Sequence, residues 1–318
     1  MDLFESNCKR MAKLLSQTPG VAMRPHVKAH KCPDLAAIQL QISNENGVKC
    51  PGVCAQTMRE AEVMVHGGVS DVLLTNQVVG EGKITRLVKL AGEAAARGGR
   101  VAVLVDSVAN AQDISSAAVE EGLVIPVFIE VEAGQGRCGV SPGGADLVAL
   151  ARAVSGAGGV ELAGVHCYNG GLQHVRDPEE RRALVFQQVV TGSAEKAVAA
   201  LTDAGLWKQG MPVTGGGTGT FMCEASSGIF TEVQPGSYVF MDADYNQNIW
   251  PKGARTSSSS LDPSPSKDPP SDSSKEEGAS SFAKGVGTCS AESAEEEGVS
   301  PFAQSLHLLA TVSLTPNR

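Results

Sequence analysis

Short apolar runs alternate with longer amphipathic stretches over the first 233 residues of this chain. Residues 3–16 open it with Leu3, Phe4, Cys8, Met11, Leu14 and Leu15 at helical spacing. The runs 20–27, 51–55, 71–75, 100–105, 124–131, 160–168, 211–214 and 229–233 predict strands. Helical patterns near 33–43, 57–66, 80–97, 108–121, 144–155 and 178–204 lie between most of them. Such βα alternation predicts a parallel sheet, and this number of units at this length suits a closed (β/α)8 barrel. A doubly wound open sheet is the structural alternative.

The rhythm stops near residue 253. A serine run over 256–260, the Pro and Ser of 262–274 and acidic patches at Glu276-Glu277 and Glu295-Glu296-Glu297 carry no apolar period. A segment of that kind cannot bury enough surface to offset its ordering entropy. The expected organisation is therefore a barrel over 1–240, the start of a C-terminal region over 241–252, disorder over 253–300 and a remnant strand over 301–318.

Composition narrows function more than fold. With 26 Lys and Arg against 35 Asp and Glu the formal charge is -9, the wrong sign for a nucleic-acid partner. No run approaches the roughly 18 uninterrupted apolar residues of a membrane span. Asp2 and Glu5 stand where an export or transit signal is basic, so a cytoplasmic or organellar enzyme is expected. Of 8 cysteines only Cys50 and Cys54 are close, and a lone C-x-x-x-C favours reduced thiols over zinc.

Function in a barrel lies at the C-terminal strand ends. The first predicted strand runs into Arg24-Pro25-His26-Val27-Lys28-Ala29-His30-Lys31, basic residues of the kind an anionic cofactor or a Schiff-base lysine requires. Read alone, the same cluster is a solvated basic loop. The seventh strand ends in Thr214-Gly215-Gly216-Gly217-Thr218-Gly219-Thr220, where successive amides can converge on a phosphate. It lacks the Lys-Ser/Thr ending of a nucleotide loop, which points to a small phosphorylated cofactor. Residues 134–139 match G-x-G-x-x-G, with Glu161 following, and form the dinucleotide alternative. Ser141-Pro142-Gly143-Gly144 intervenes where a helix should open. His166, beside Tyr168 and Asn169 at a strand end, reads as functional. His66 reads as structural, Asp242 and Asp244 as turn residues, and Cys138 and Cys167 as packed thiols.

Together these motifs resemble one family. The 24–31 segment is similar to the lysine segment of the pyridoxal-phosphate enzymes that include D-threonine aldolase and eukaryotic D-serine dehydratase, which share an alanine-racemase-like barrel. Gly136-Arg137-Cys138-Gly139-Val140, Gly171-Leu172-Gln173-His174-Val175-Arg176, the glycine-rich loop and Gln234-Pro235-Gly236-Ser237-Tyr238-Val239-Phe240-Met241-Asp242-Ala243-Asp244-Tyr245 point to the aldolase branch. The resemblance covers about residues 2–250.

The resemblance implies a pyridoxal 5'-phosphate lyase acting on small D-3-hydroxy amino acids, cleaving D-threonine-like substrates to glycine and an aldehyde. Lys28 would form the Schiff base, with Lys31 as its rival, and Arg137 would contact the ring's phenolic oxygen. His166 and Tyr168 would lie against the ring. Gly216, Gly217, Thr218, Gly219, Thr220, Gly236 and Ser237 would hold the phosphate. Gln234 would sit near the ring nitrogen, and His174 would be the base or position the hydroxyl. A D-serine dehydratase-type ammonia-lyase and a cofactor-binding but inactive barrel are the alternatives. The family is also expected to form homodimers and to use a divalent metal, manganese or zinc. Ligands for that metal come from a C-terminal β-domain and have no counterpart in this chain. The family's opening strand is absent as well, as in a truncated gene product.

Overall fold

The computed structural model describes residues 1–250 together with Ser300 and Phe302. Apart from those two residues, the segments predicted as disorder (253–300) and as a remnant strand (301–318) lie outside the described residues. Eight strands appear among the described residues: β1 (Ala22–Met23), β2 (Val53–Ala55), β3 (Asp71–Gln77), β4 (Arg100–Val105), β5 (Ile125–Val131), β6 (Val160–Cys167), β7 (Val213–Gly215) and β8 (Glu232–Val233). All pair in parallel, in the order β1-β8-β7-β6-β5-β4-β3-β2. Just past β1, His26 bridges to Cys54 of β2, whose N–H donates to the Pro25 carbonyl. That contact closes the ring, so the fold is the predicted (β/α)8 barrel and not an open sheet. Ladders in β1 and β8 are short because each runs into a proline, Pro25 or Pro235, that has no N–H to give.

Helices α1 (Asp2–Leu15), α2 (Pro33–Glu45), α3 (Met58–His66), α4 (Glu81–Ala95), α5 (Val108–Glu120) and α6 (Ala145–Ser155) match the predicted patterns. Pro33 starts α2 at a position that needs no N–H donor. Thr57 and Ser107 cap α3 and α5 by accepting from Glu60 N and Asn110 N. Such abrupt starts keep the βα loops short on one rim. The helix predicted over 178–204 is instead three pieces: α7 (Pro178–Leu184), a π-wide segment (Val185–Ala194) and α8 (Glu195–Asp203). Ser193 Oγ sits within hydrogen-bond distance of the Gln188 carbonyl five residues back, and of the Glu132 carbonyl, which favours the wider turns. A short α9 (Phe221–Ala225) follows the glycine-rich loop and has no counterpart among the predicted elements.

Side chains alternate along a strand, and here one set faces the helices while the other fills the barrel. The helix-facing set is aliphatic, with Val72, Val101, Val103, Val127 and Ile129 in one large core. Inside, the residues fall in tiers. Arg24, Asp71 and Glu232 form an ionic floor. Cys54, Leu73, Ala102, Leu104 and Phe128 form an apolar middle. His26, Thr75, Glu130, His166 and Gln234 form a polar top. A second core under α1 and α2 includes Tyr238, Phe240, Trp250 and Phe302 and holds the loop after β8 in place.

Candidate active site

The polar top opens into a cleft of about 450 Å³, including its open mouth. Lys28, Arg137, His166, Tyr168, Gly217, Thr218, Gln234, Gly236 and Ser237 all line it. These come from loops far apart in the chain and are brought together by barrel closure. His26, Gln56, Thr75 and Tyr245 line it too, and the sequence reading did not select them. Strand alternation offered a signal for two: His26 lies two residues before Lys28, and Thr75 ends the predicted strand 71–75.

Lys28 sits in a single 3₁₀ turn, Val27–Ala29, begun by His26, whose Nδ1 accepts from Lys28 N at 3.3 Å. Its Nζ lies 6.0 Å from the centroid of the Tyr168 ring, and the Arg137 guanidinium lies 5.5 Å from the same ring. Burial, and after it the Arg137 charge, hold the Lys28 amine below its ordinary pKa. Lys31 is turned outward: its backbone φ is 55°, its side chain is 60% exposed, and Nζ lies 3.9 Å from Glu60. Arg24 also leaves the predicted basic wall: it shares the interior face with His26 but sits lower in the barrel, on the floor between Asp71 and Glu232.

Two imidazoles stand beside the lysine. His26 Nε2 meets Thr75 Oγ1 at 3.1 Å, and burial together with the Lys28 charge pushes its pKa well down. His166 Nε2 meets Gln234 Oε1 at 3.2 Å. Its Nδ1 is buried, has no hydrogen-bond partner among the described residues, and lies 3.8 Å from Glu130 Oε1. Burial lowers the His166 pKa despite Glu130. Cys138 donates to Glu130 at 3.2 Å, and burial and that carboxylate push its thiol up, so it is a packed thiol. Cys167 is buried and likewise shifted upward.

The glycine-rich loop crosses the cleft wall. A Cβ on Gly217 would lie 2.4 Å from Gln173 Oε1, and one on Gly236 would lie 2.9 Å from the His26 carbonyl. Only glycine lets these backbones reach the cleft. Not every predicted member faces it. Gly216, Gly219 and Thr220 lie behind the lining: Gly219 N donates to Gln173 Oε1 at 2.9 Å, and Thr220 Oγ1 donates to Glu224 at 2.8 Å. Thr218 Oγ1 accepts from Tyr238 N, tying the loop to the turn after β8.

His174 also stands off the lining. It is half-exposed, 2.5 Å from Asp244 Oδ2, with its ring 5.0 Å from that of Tyr245. Arg176 pairs with the same Asp244. Asp242 Oδ1 accepts from Asp244 N and Tyr245 N, the expected turn chemistry. His66 forms a surface pair with Glu93. Residues 134–139 do not open a helix, since α6 starts at Ala145, and Gly136 N is taken by Glu132 Oε1 at 2.7 Å. The dinucleotide alternative loses its basis. Among the described residues no group of three or more His, Cys, Asp or Glu could hold a metal ion, and no helix is long and apolar enough to cross a membrane.

Residues 1–244 match the domain described as alanine racemase, N-terminal domain. The chain belongs to this family. Among its relatives, the D-threonine aldolase of Arthrobacter sp is 40% identical over 247 residues, 78% of this chain and 61% of that one. The 3-hydroxy-D-aspartate aldolase of Paracoccus denitrificans (strain Pd 1222) is 37% identical over 247 residues, 78% of this chain and 60% of the other. A solved D-threonine aldolase from Filomicrobium marinum superposes with a TM-score of 0.72 at 40% identity, covering 80% of this chain and 64% of that one. The alanine racemase-like chain therefore spans about three fifths of the length of these curated relatives.

Proposed function

We propose that this barrel is the cofactor-binding part of a pyridoxal-phosphate lyase that cleaves D-3-hydroxy amino acids, D-threonine among them, to glycine and an aldehyde. One observation carries the reading. A lysine with a depressed pKa faces the cleft beside a tyrosine ring and an arginine, opposite glycine backbones that only Gly can bring so close. The buried His166 Nδ1 at the same cleft, without a hydrogen-bond partner among the described residues, supports a site built for a polar ligand.

When bound, pyridoxal phosphate would supply an electron sink for the bond broken at Cα. The residues of this chain supply the rest. Lys28 would be the covalent anchor, because burial and then the Arg137 charge lower its pKa and so favour the free amine needed to attack a carbonyl. Arg137 would contact the ring's phenolic oxygen, and His166 and Tyr168 would lie against the ring. Gly217, Thr218, Gly236 and Ser237, which line the cleft, would hold the phosphate, while Gly216, Gly219 and Thr220 shape the loop from behind. Gln234 would serve the ring nitrogen. His174, paired with Asp244 and with its ring against the cleft-lining Tyr245, would take or position the β-hydroxyl proton.

Homodimerisation, a cytoplasmic setting and the division into a 1–240 barrel with a following C-terminal region belong to the same reading. So does the family's manganese or zinc. The described residues do not fit that metal. A dehydration outcome is the second reading, favoured by 31% identity over 247 residues to the D-threo-3-hydroxyaspartate dehydratase of Delftia sp. (strain HT23).

Purified protein mixed with pyridoxal phosphate should show an internal Schiff-base absorbance band that Lys28→Ala lacks. Glycine released from D-threonine, against a keto acid from D-serine, separates the two outcomes. Wild type and Lys28→Ala with identical spectra would overturn the assignment.

A further inference from the structure

A line of buried side chains runs from the cleft down the inside of the barrel. His166 Nε2 and Gln234 Oε1 are 3.2 Å apart, Gln234 Nε2 and Thr214 Oγ1 2.7 Å, and Thr214 Oγ1 and Glu232 Oε1 2.8 Å. Arg24 Nε closes the line, 3.1 Å from the same Glu232 oxygen. None of the five residues is more than 5% exposed, so the pattern is set mainly by their protein partners.

The direction of every bond follows from the lower end. A guanidinium only donates, so the Glu232 carboxylate beside it only accepts. Thr214 has one hydroxyl hydrogen, and with that carboxylate at 2.8 Å it points to Glu232. Its oxygen is then an acceptor toward Gln234, which must turn its NH₂ group to Thr214 and its carbonyl oxygen to His166. The flipped amide would set two acceptors against each other, or pull the threonine hydrogen off Glu232 and leave a buried carboxylate without it. His166 must in turn carry its hydrogen on Nε2, leaving Nδ1 bare. That agrees with the missing partner at Nδ1.

The groups facing His166 are compatible with a neutral ring. Glu130, Arg137 and Glu232 are its charged neighbours, and the titratable His26 ring also acts on it. Glu130 already receives Gln77 Nε2 at 3.0 Å and the Cys138 thiol at 3.2 Å, so it does not need an imidazolium.

We propose that the buried Arg24–Glu232 pair, acting through Thr214, positions Gln234 with its carbonyl oxygen toward the cleft and holds His166 as the neutral Nε2–H tautomer. For the cofactor reading above, on which this last step rests, the consequence is specific. A ring nitrogen that meets Gln234 meets an acceptor, so it is bound carrying a hydrogen, the form in which the ring withdraws electrons best.

The test needs no cofactor. Long-range ¹H–¹⁵N spectra of histidine-labelled full-length protein, with His166 assigned by its loss in His166→Asn, should show a pyrrole-like Nε2 and a pyridine-like Nδ1. Thr214→Val should move His166 toward a mixture of tautomers, and Thr214→Ser should restore the wild-type pattern. Glu232→Gln, whose amide can donate to Thr214, should also disturb it. A wild-type His166 bearing its hydrogen on Nδ1, or a folded Thr214→Val or Glu232→Gln with an unchanged pattern, would overturn the proposal. Failure of the Lys28 absorbance test would leave these spectra untouched, so the two readings fail separately. Pyridoxal phosphate should further outcompete its analogue lacking the ring nitrogen by about tenfold, one charge-assisted hydrogen bond. Equal binding would overturn the ring-nitrogen step.

Discussion

Arg24 lies between two carboxylates inside the barrel, 2.6 Å from Asp71 and 3.1 Å from Glu232, and is 3% exposed. Asp71 has a second cation in Arg100, at 2.7 Å, whereas Glu232 is 4% exposed and leans on Arg24. Arg24→Met would strand the Glu232 charge. Removing one partner of a buried pair costs roughly 3–5 kcal/mol. Urea unfolding should show a loss of that order, and a change of less than about 1 kcal/mol would mean the floor is hydrated.

Arg137 lowers the Lys28 pKa by like-charge repulsion, second only to burial. In Arg137→Gln the Lys28 pKa should rise, so a given fraction of free amine requires a higher pH. Borohydride trapping of pyridoxal phosphate on Lys28, measured against pH, should therefore show its midpoint displaced upward. A midpoint that stays or falls would contradict the placement of the two cations.

Gly217 leaves no room for a side chain, because a Cβ would sit 2.4 Å from Gln173 Oε1. That oxygen accepts from Gly219 N, and Gln173 Nε2 donates to Thr220 Oγ1 at 2.8 Å. Gly217→Ala should push Gln173 aside and slacken the loop, at about 1–3 kcal/mol for overpacking. Equilibrium dialysis should show pyridoxal phosphate affinity down by about tenfold or more, with the barrel's circular dichroism intact. Affinity within about twofold of wild type would show that the loop does not carry the phosphate.

Glu224 lies buried behind this loop, its Oε2 without a partner among the described residues. Burial pushes its carboxyl up from 4.5 to about 7. Between those values the folded chain holds a proton that the unfolded chain has released, so this group makes stability fall as pH rises through that window. Above it the cost is complete, on the order of 3 kcal/mol at most. Glu224→Gln should flatten the pH dependence of the melting temperature and stabilise the protein at alkaline pH. A variant no more stable there than wild type would refute the shift.

The fold was legible because its signals are local. Eight apolar runs with helical patterns between most of them can bury their surfaces in few ways, and the barrel is the one that closes. Lys28 and the glycine-rich loop were legible for a similar reason, since unusual residue types crowd at strand ends. The split of the 178–204 helix was not, because it depends on Ser193 meeting carbonyls at Glu132 and Gln188. Gln56 carried no local signal, and Tyr245, though it ends a recognisable motif, had no assigned role, because both reach the cleft only through packing.

By itself the sequence determined which residues could do chemistry and the strands and loops that carry them. Depth and direction were decided only in three dimensions. Arg24, Lys28 and Lys31 lie in one basic run, yet closure puts the first on the barrel floor, the second in the cleft and the third in solvent. Gly219 and Thr220 read as phosphate ligands but face Gln173 and Glu224. The reason is physical. Periodicity states which face a side chain takes, but burial, pKa and bond direction depend on neighbours contributed by distant strands.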